Sequence, residues 1–239
     1  MSLLVQRQGQ SLCWFDTDFF AQPDARVFTP AYWQQGDRVD GQSLGRGVTW
    51  FVHTERHALV LRHYWRGGLV GRWIRDRFLY LGAARSRAMA EFSLLRQLAL
   101  AGVAVPRPAA ARLVRHGLTY RADILVERIA GARDLVALLQ ERPLGAKEWR
   151  QVGTAIARLH EAGGYHSDLN SHNLLLDEGG KVWIIDLDKG GLRRPGAWQQ
   201  ANLARLLRSL RKEAARLTPF HWQETDWADL LAGYTVASA

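Results

Sequence analysis

The stretch YHSDLNSHNLLLDEGGKVWIIDLDKG, Tyr165 to Gly190, constrains this chain more than any other. Two apolar runs, Leu174-Leu175-Leu176 and Val182-Trp183-Ile184-Ile185, flank Gly179-Gly180, which is the pattern of a tight hairpin. With Gly179-Gly180 as a two-residue loop, Glu178 faces Lys181, Leu176 faces Trp183, Leu174 faces Ile185 and Asn173 faces Asp186. Directly opposed residues have Cβ atoms about 4.5–5.5 Å apart. That register brings an amide oxygen and a carboxylate to the open end of the hairpin. Both are hard oxygen donors and suit Mg²⁺, which keeps several waters and is held by one or two carboxylates plus substrate phosphates. Asp168 precedes Asn173 in the entering loop, near such an ion rather than on it. A carboxylate so placed can take the proton of an attacking hydroxyl. A base Asp168, a metal-binding Asn173 and a metal-binding Asp186 on the next strand match the phosphoryl-transfer template. His166 is expected to brace the loop. A hairpin with solvated polar ends would explain Asp186-Leu187-Asp188 alone, but not the whole spacing H-x-D-x-x-x-x-N, strand, turn, strand, Asp.

Composition sets the bounds. The chain has 239 residues, with hydrophobic residues at 47% and charged ones at 23%, enough for a sizeable core in one domain or two small lobes. The single cysteine, Cys13, excludes an internal disulfide framework. The first residues lack the basic and apolar regions of a signal peptide, and no apolar run reaches the roughly 18–20 residues of a membrane span. The net charge is +9, and lysine occurs only at 147, 181, 189 and 212, so the basicity is almost all arginine. Arginine's fork suits phosphate and carboxylate, although a GC-rich genome also favours it. Charge alone does not choose among nucleic acid, anionic lipid and phosphorylated substrates.

Along the chain, Val48–Val52 and Ala58–Tyr64 read as strands joined by a polar turn, and residues 113–129 as two more. Residues 69–81 place Leu69, Val70, Trp73, Ile74 and Phe78 at helical spacing, and residues 86–101 make a second helix with Ser86 as its N-cap and Gly102 as its stop. Residues 134–141, 147–161 and about 197–217 are helical; in the last, Leu203, Leu206, Leu207 and Leu210 are expected in the core. The pattern changes near Glu127–Asp134, from strand-rich to helix-rich. The expectation is an α+β chain of two unequal lobes with a cleft between them.

With these residues in view, the chain resembles the protein-kinase-like superfamily. His166, Asp168 and Asn173 match its H-R-D-x-x-x-x-N loop and Asp186 the aspartate of D-F-G. The resemblance implies a bilobal fold, with a strand-rich N-lobe over residues 1–128 and a small helical C-lobe over 129–239. It implies ATP, covered by the short glycine-rich loop Gly45-Arg46-Gly47. Arg62 stands where the phosphate-pairing lysine is expected, and Glu91 where its partner on the following helix is expected. Ser167 replaces the arginine of H-R-D, Asn170 stands in place of a lysine, and no A-P-E follows, which favours a small or lipid-linked hydroxyl over a protein as acceptor.

A closer likeness lies in HSDLNSHNLLLD, IIDLDKG, GRGVTWFV and VLRHYWRGGLVG. Over residues 41–190 these resemble the Kdo kinases of the lipopolysaccharide kinase family. That resemblance implies phosphorylation of the 4-hydroxyl of Kdo on a lipid A precursor, with ATP and Mg²⁺, by a peripheral protein on the cytoplasmic face of the inner membrane. The interleaved arginines and bulky apolar groups of residues 66–78 would suit an anionic membrane surface or the lipid's phosphates, and equally a helix packed with its arginines in water. Other readings are a heptose or aminoglycoside kinase of the same fold and a pseudokinase that only holds lipopolysaccharide or membrane. Nucleic-acid binding lacks any motif, and no obligate protein partner is evident.

Overall fold

In the computed structural model of the chain, residues 2–44, 47–66 and 76–237 are described. They divide into two compact units. One comprises Met1–Arg96 and Arg107–Arg128, the other Gln97–Pro106 and Ile129–Ala239.

The first unit is built on one sheet. Its strands are β1 (Leu3–Gln8), β2 (Ser11–Asp16), β3 (Val39–Leu44), β4 (Val48–His53), β5 (Ala58–His63), β6 (Phe78–Leu79), β7 (Pro108–His116) and β8 (Thr119–Glu127). Helix α1 (Pro30–Gln35) interrupts the series after β2, and α2 (Arg87–Leu100) after β6. The order across the sheet is β1-β2-β7-β8-β5-β4-β3, with β6 on β8. Every pairing is antiparallel. β4 and β5 form where alternating β-branched and aromatic residues predict them. Thr54 shapes their polar turn, its Oγ1 accepting from the backbone N–H groups of Arg56 and His57. One face is sealed by Phe15, Phe28, Trp33, Val52, Leu59, Leu61 and Leu125, with Cys13 buried among them as a free thiol. Arg62 lies mid-sheet on β5, opposite Thr49 of β4 and Ile124 of β8.

Two expectations need correction here. Residues 69–75 lie outside the described ones, but the end of the helix expected over 69–81 is a strand: Phe78 pairs with Tyr120 and Leu79 with Thr119. Phe78 is buried, so the apolar spacing there reports sheet packing rather than a helical face. Ser86 precedes α2, yet its hydroxyl donates backward to the Ala83 carbonyl instead of capping the helix.

In the second unit, β9 (Arg133–Asp134) leads into α3 (Leu135–Glu141), whose first N–H groups are capped by the Asp134 carboxylate. Then follow α4 (Ala146–Glu161), β10 (Gly164–Tyr165), β11 (Leu174–Leu176), β12 (Val182–Ile184), β13 (Gly191–Leu192), α5 (Trp198–Arg216) and α6 (Asp226–Ala237). β12, β11 and β9 make a small sheet, and β10 pairs with β13. The Ile184 N–H donates to the Ala104 carbonyl at 2.9 Å, which ties the segment after α2 to this unit. α4 and α6 meet through glycines: Gly153 faces the Leu230 carbonyl, Gly233 faces the Arg150 carbonyl, and Thr154 Oγ1 donates to the Gly233 carbonyl. Among the described residues no helix is long and apolar enough to cross a membrane.

His160, in the last turn of α4, is buried against Trp198 and Tyr234, with Nδ1 2.9 Å from the Tyr234 hydroxyl. Burial pushes its pKa down from 6.5 to about 4. Between those values the unfolded chain binds a proton that the folded chain refuses. The stability contributed by the neutral ring is therefore complete above 6.5 and lost as pH falls toward about 4. A His160→Asn variant should lose less stability than the parent between pH ~7 and pH ~4.5. Denaturant midpoints at the two pH values measure it, and equal drops would rule it out.

Candidate phosphoryl-transfer site

The hairpin is present with a different register. Leu174 faces Ile184, Leu175 faces Trp183 and Leu176 faces Val182, one residue off the expectation. The Asp177 N–H donates to the Lys181 carbonyl, so the loop is Glu178-Gly179-Gly180, with Gly180 at φ 78°. A three-residue loop ending in a left-handed residue is the next favoured hairpin after the two-residue one. The Asp177 side chain selects it, accepting from the Lys181 N–H and from Trp183 Nε1 at 2.9 and 2.8 Å. Lys181 consequently lies over the Trp183 ring, 3.8 Å from its centroid, instead of pairing with Glu178. Asn173 therefore faces Ile185, whose N–H donates to its carbonyl at 3.0 Å. Asp186 comes one position later, exposed and left-handed at φ 59°, a conformation that aspartate tolerates better than most residues.

The loop from His166 to Asn173 is held from inside. Asp168 N–H donates to His166 Nδ1 at 3.0 Å, which makes Nδ1 the acceptor and places the proton on Nε2. Nε2 in turn donates to the Ile185 carbonyl at 2.9 Å, so the fully buried His166 clamps the loop to the strand leading to Asp186. Asn170 and Asn173 both donate through Nδ2 to the Asp168 carbonyl, at 3.1 and 2.9 Å. Ser167, in the arginine's place, donates to the Asp188 carbonyl at 2.7 Å.

Helix α5 braces the same loop from outside. Asn202 donates to the His166 carbonyl and accepts from its N–H, and Ser209 meets both the N–H and the hydroxyl of Ser171. Arg205 Nε donates to Asp168 Oδ1 at 2.7 Å. Burial pushes the Asp168 carboxyl up, but hydrogen bonds from Arg205 and Asn170 and the Arg205 charge hold it below the usual carboxylate range. Asp168 is thus ionised and fixed in direction. The sequence reading missed Asn202, Arg205 and Ser209. Their spacing of i, i+3, i+7 beside the leucine stripe was the available signal. In that stripe Leu203, Leu206 and Leu210 are buried as expected, while Leu207 is only half-buried.

Asn173 Nδ2 is committed to the Asp168 carbonyl, which leaves Oδ1 as its acceptor toward a cation. One amide oxygen and one carboxylate are too few to hold a bare ion, and are the donor set expected where phosphate oxygens complete the shell. Among the described residues no group of three His, Cys, Asp or Glu side chains forms an alternative metal cage.

In the first unit, Arg62 and Glu91 are brought together. The buried Glu91 carboxylate accepts from Arg62 Nη2 on one oxygen and from the Tyr64 hydroxyl on the other. Burial, then the Glu91 charge, pushes the Tyr64 phenol well above its ordinary value, so it stays a donor. Of the glycine-rich loop, Gly45 and Arg46 lie outside the described residues. Gly47 lies against the Trp65 indole, where a Cβ would come within 1.9 Å of Nε1. Close approach is what glycine permits there.

A strand-rich unit with a half-buried arginine paired to a buried glutamate, and a helical unit with a braced H-x-D-x-x-x-x-N loop followed by Asp186, define a chain of the protein-kinase-like class. The profile of the lipopolysaccharide kinase (Kdo/WaaP) family matches residues 30–234. The chain belongs to that family. A protein of Vibrio parahaemolyticus serotype O3:K6 is 47% identical over 94% of each chain. One from Vibrio vulnificus strain YJ016 is 44% identical over 96% of this chain and 97% of its own. One from Actinobacillus succinogenes is 44% identical over 97% and 99%. Each is named 3-deoxy-D-manno-octulosonic acid kinase.

Proposed function

We propose that this protein transfers the γ-phosphoryl group of ATP to the 4-hydroxyl of Kdo on a lipid A precursor. The observation that carries the reading is the Asp168 carboxylate, ionised and aimed by a loop that also presents Asn173. The family and the names of its relatives support the choice of acceptor. Asp168 takes the proton of the sugar hydroxyl as its oxygen bonds to phosphorus and the bond to the bridging oxygen of ADP breaks. Asn173 and Asp186 are the residues to hold Mg²⁺. When bound, that ion draws negative charge from the phosphates. Arg62 pairs with the nucleotide phosphates, and the backbone of Gly45, Arg46 and Gly47 covers them. Glu91 acts through Arg62, fixing its direction. We place the reaction at the cytoplasmic face of the inner membrane, where a +9 protein is drawn to anionic lipid.

Glu91→Gln keeps the shape of the side chain but not its charge. It is expected to cost about 1.5–3 kcal/mol of stability, the worth of hydrogen bonds to a charged group. It should raise the KM for ATP while leaving the KM for the acceptor near the parent value. Acceptor KM rising as much as nucleotide KM would remove Glu91 from the nucleotide side.

The decisive assay is transfer from labelled ATP to a Kdo-bearing lipid A precursor, beside the same lipid without Kdo and a heptose-bearing core. Label on the Kdo-bearing lipid, located at the 4-position, supports the reading. Label on heptose alone overturns it.

A further inference from the structure

Asp168 opens onto a groove of about 520 Å³, walled on one side by α5. Arg205, Arg208, Lys212 and Arg216 line it. At spacings of three, four and four residues they form a single row along the helix. With a rise of about 1.5 Å per residue, Arg205 to Lys212 covers roughly 10 Å of wall. The four cations are not equivalent. Arg205 is engaged with Asp168, and Arg216 with the buried Glu213 at 2.5 Å. Glu213 also has His172 Nε2 at 3.7 Å and Lys212 Nζ at 3.9 Å. Arg208 has no acidic partner among the described residues, and it is exposed. A solvated arginine is ordinary on a surface. This one stands in the groove of the proton acceptor, between two cations and turned from no acid. A second hollow, about 510 Å³ and lined by Arg7, Tyr80 and Arg115 in the first unit, contains none of the site residues.

The names of the relatives specify the acceptor's chemistry: an octulosonic acid carries its carboxylate directly on the anomeric carbon of the ring. Its reacting hydroxyl must come within hydrogen-bond reach of Asp168. The acid group, two ring carbons away, is then close enough to reach the α5 wall of the same groove. We propose that Arg208, with Lys212 beside it, is the carboxylate subsite for the sugar acid. This deepens the kinase reading above and rests on it. Arg208 would set specificity by a two-pronged hydrogen bond that a neutral sugar cannot return. Arg205 remains the residue that positions Asp168.

The test compares three acceptors: the Kdo-bearing lipid A precursor, the same compound with the Kdo acid converted to its carboxamide, and the same compound stripped of its lipid phosphates. The parent and Arg208→Met are assayed with each. The parent should use the acid better than the amide by about 10- to 100-fold in kcat/KM, the usual worth of a charge-assisted hydrogen bond. Arg208→Met should lose that factor on the acid and none on the amide, through acceptor KM, with the KM for ATP unchanged. Arg208→Lys should recover part of it. Equal losses on acid and amide would overturn the subsite, as would a loss that vanishes only when the lipid phosphates are removed. Transfer by the parent to acid and amide alike keeps the kinase and removes the subsite. Transfer to none of the three removes both.

Discussion

Asp168→Ala is expected to lower phosphate transfer by about 10²–10⁴-fold, the range that a positioned proton acceptor contributes. Nucleotide binding should persist, because Arg62 and Glu91 belong to the other unit and Asn173 and Asp186 are untouched. The loop should survive the change. What anchors it besides the Arg205 contact are the Asp168 carbonyl and N–H, the His166 ring, and Asn202 and Ser209 of α5, none of which needs the carboxylate. Asp186→Ala should differ in kind, weakening Mg-ATP binding as well as turnover. Single-turnover rates and nucleotide titrations on both variants separate the two. Equal loss of nucleotide binding in both would undo this division of roles. The carboxyl of Asp168 is held low, so it is a weak base, and much of its effect is expected to lie in orienting the hydroxyl.

Gly153→Ala is expected to destabilise the second unit severely. A Cβ there would lie 1.9 Å from the Leu230 carbonyl oxygen and 2.7 Å from the Tyr234 nitrogen, both backbone atoms of α6. Backbone cannot rotate out of the way as a side-chain end can, so α4 and α6 must separate. Overpacking typically costs about 1–3 kcal/mol, and this site belongs at or above the upper end. Alanine recovers about 1 kcal/mol of helix propensity, which does not offset it. At about 2–4 °C per kcal/mol, a net loss near 2–3 kcal/mol lowers the melting temperature by roughly 4–12 °C. Thermal melts measure the loss, and proteolysis within 226–237 reports whether α6 leaves first. An unchanged melting temperature would mean that the helices are not in contact at this depth.

What was legible in the sequence was local. β4, β5, α2 and α4 have their period and their end signals within their own residues, and they form where expected. The spacing from His166 to Asn173 was legible for the same reason. The hairpin register was not, because Gly-Gly permits two turns, and the choice falls to the Asp177 side chain reaching Lys181 and Trp183. The residues near 78 were misread because a buried strand end and a helical face place the same apolar types at overlapping spacings. The β1–β2 hairpin and α1 went unread, since their partners, β7 and the core around Phe28 and Trp33, are distant or lack periodicity. The struts on α5 were hidden by their own ordinariness. An asparagine, an arginine and a serine on a basic helix look like solvent-facing residues until the loop they hold is in place.

Those struts also bear on the order in which the protein becomes competent as it is made. The loop from His166 to Asn173 takes its outside support from Asn202 and Ser209, which leave the ribosome some 30 to 40 residues after it. A nascent chain that has just completed the hairpin carries the whole motif with its inner hydrogen bonds but lacks the outside support of α5. Full activity is therefore expected late in synthesis, with α5, rather than with the residues that perform the chemistry.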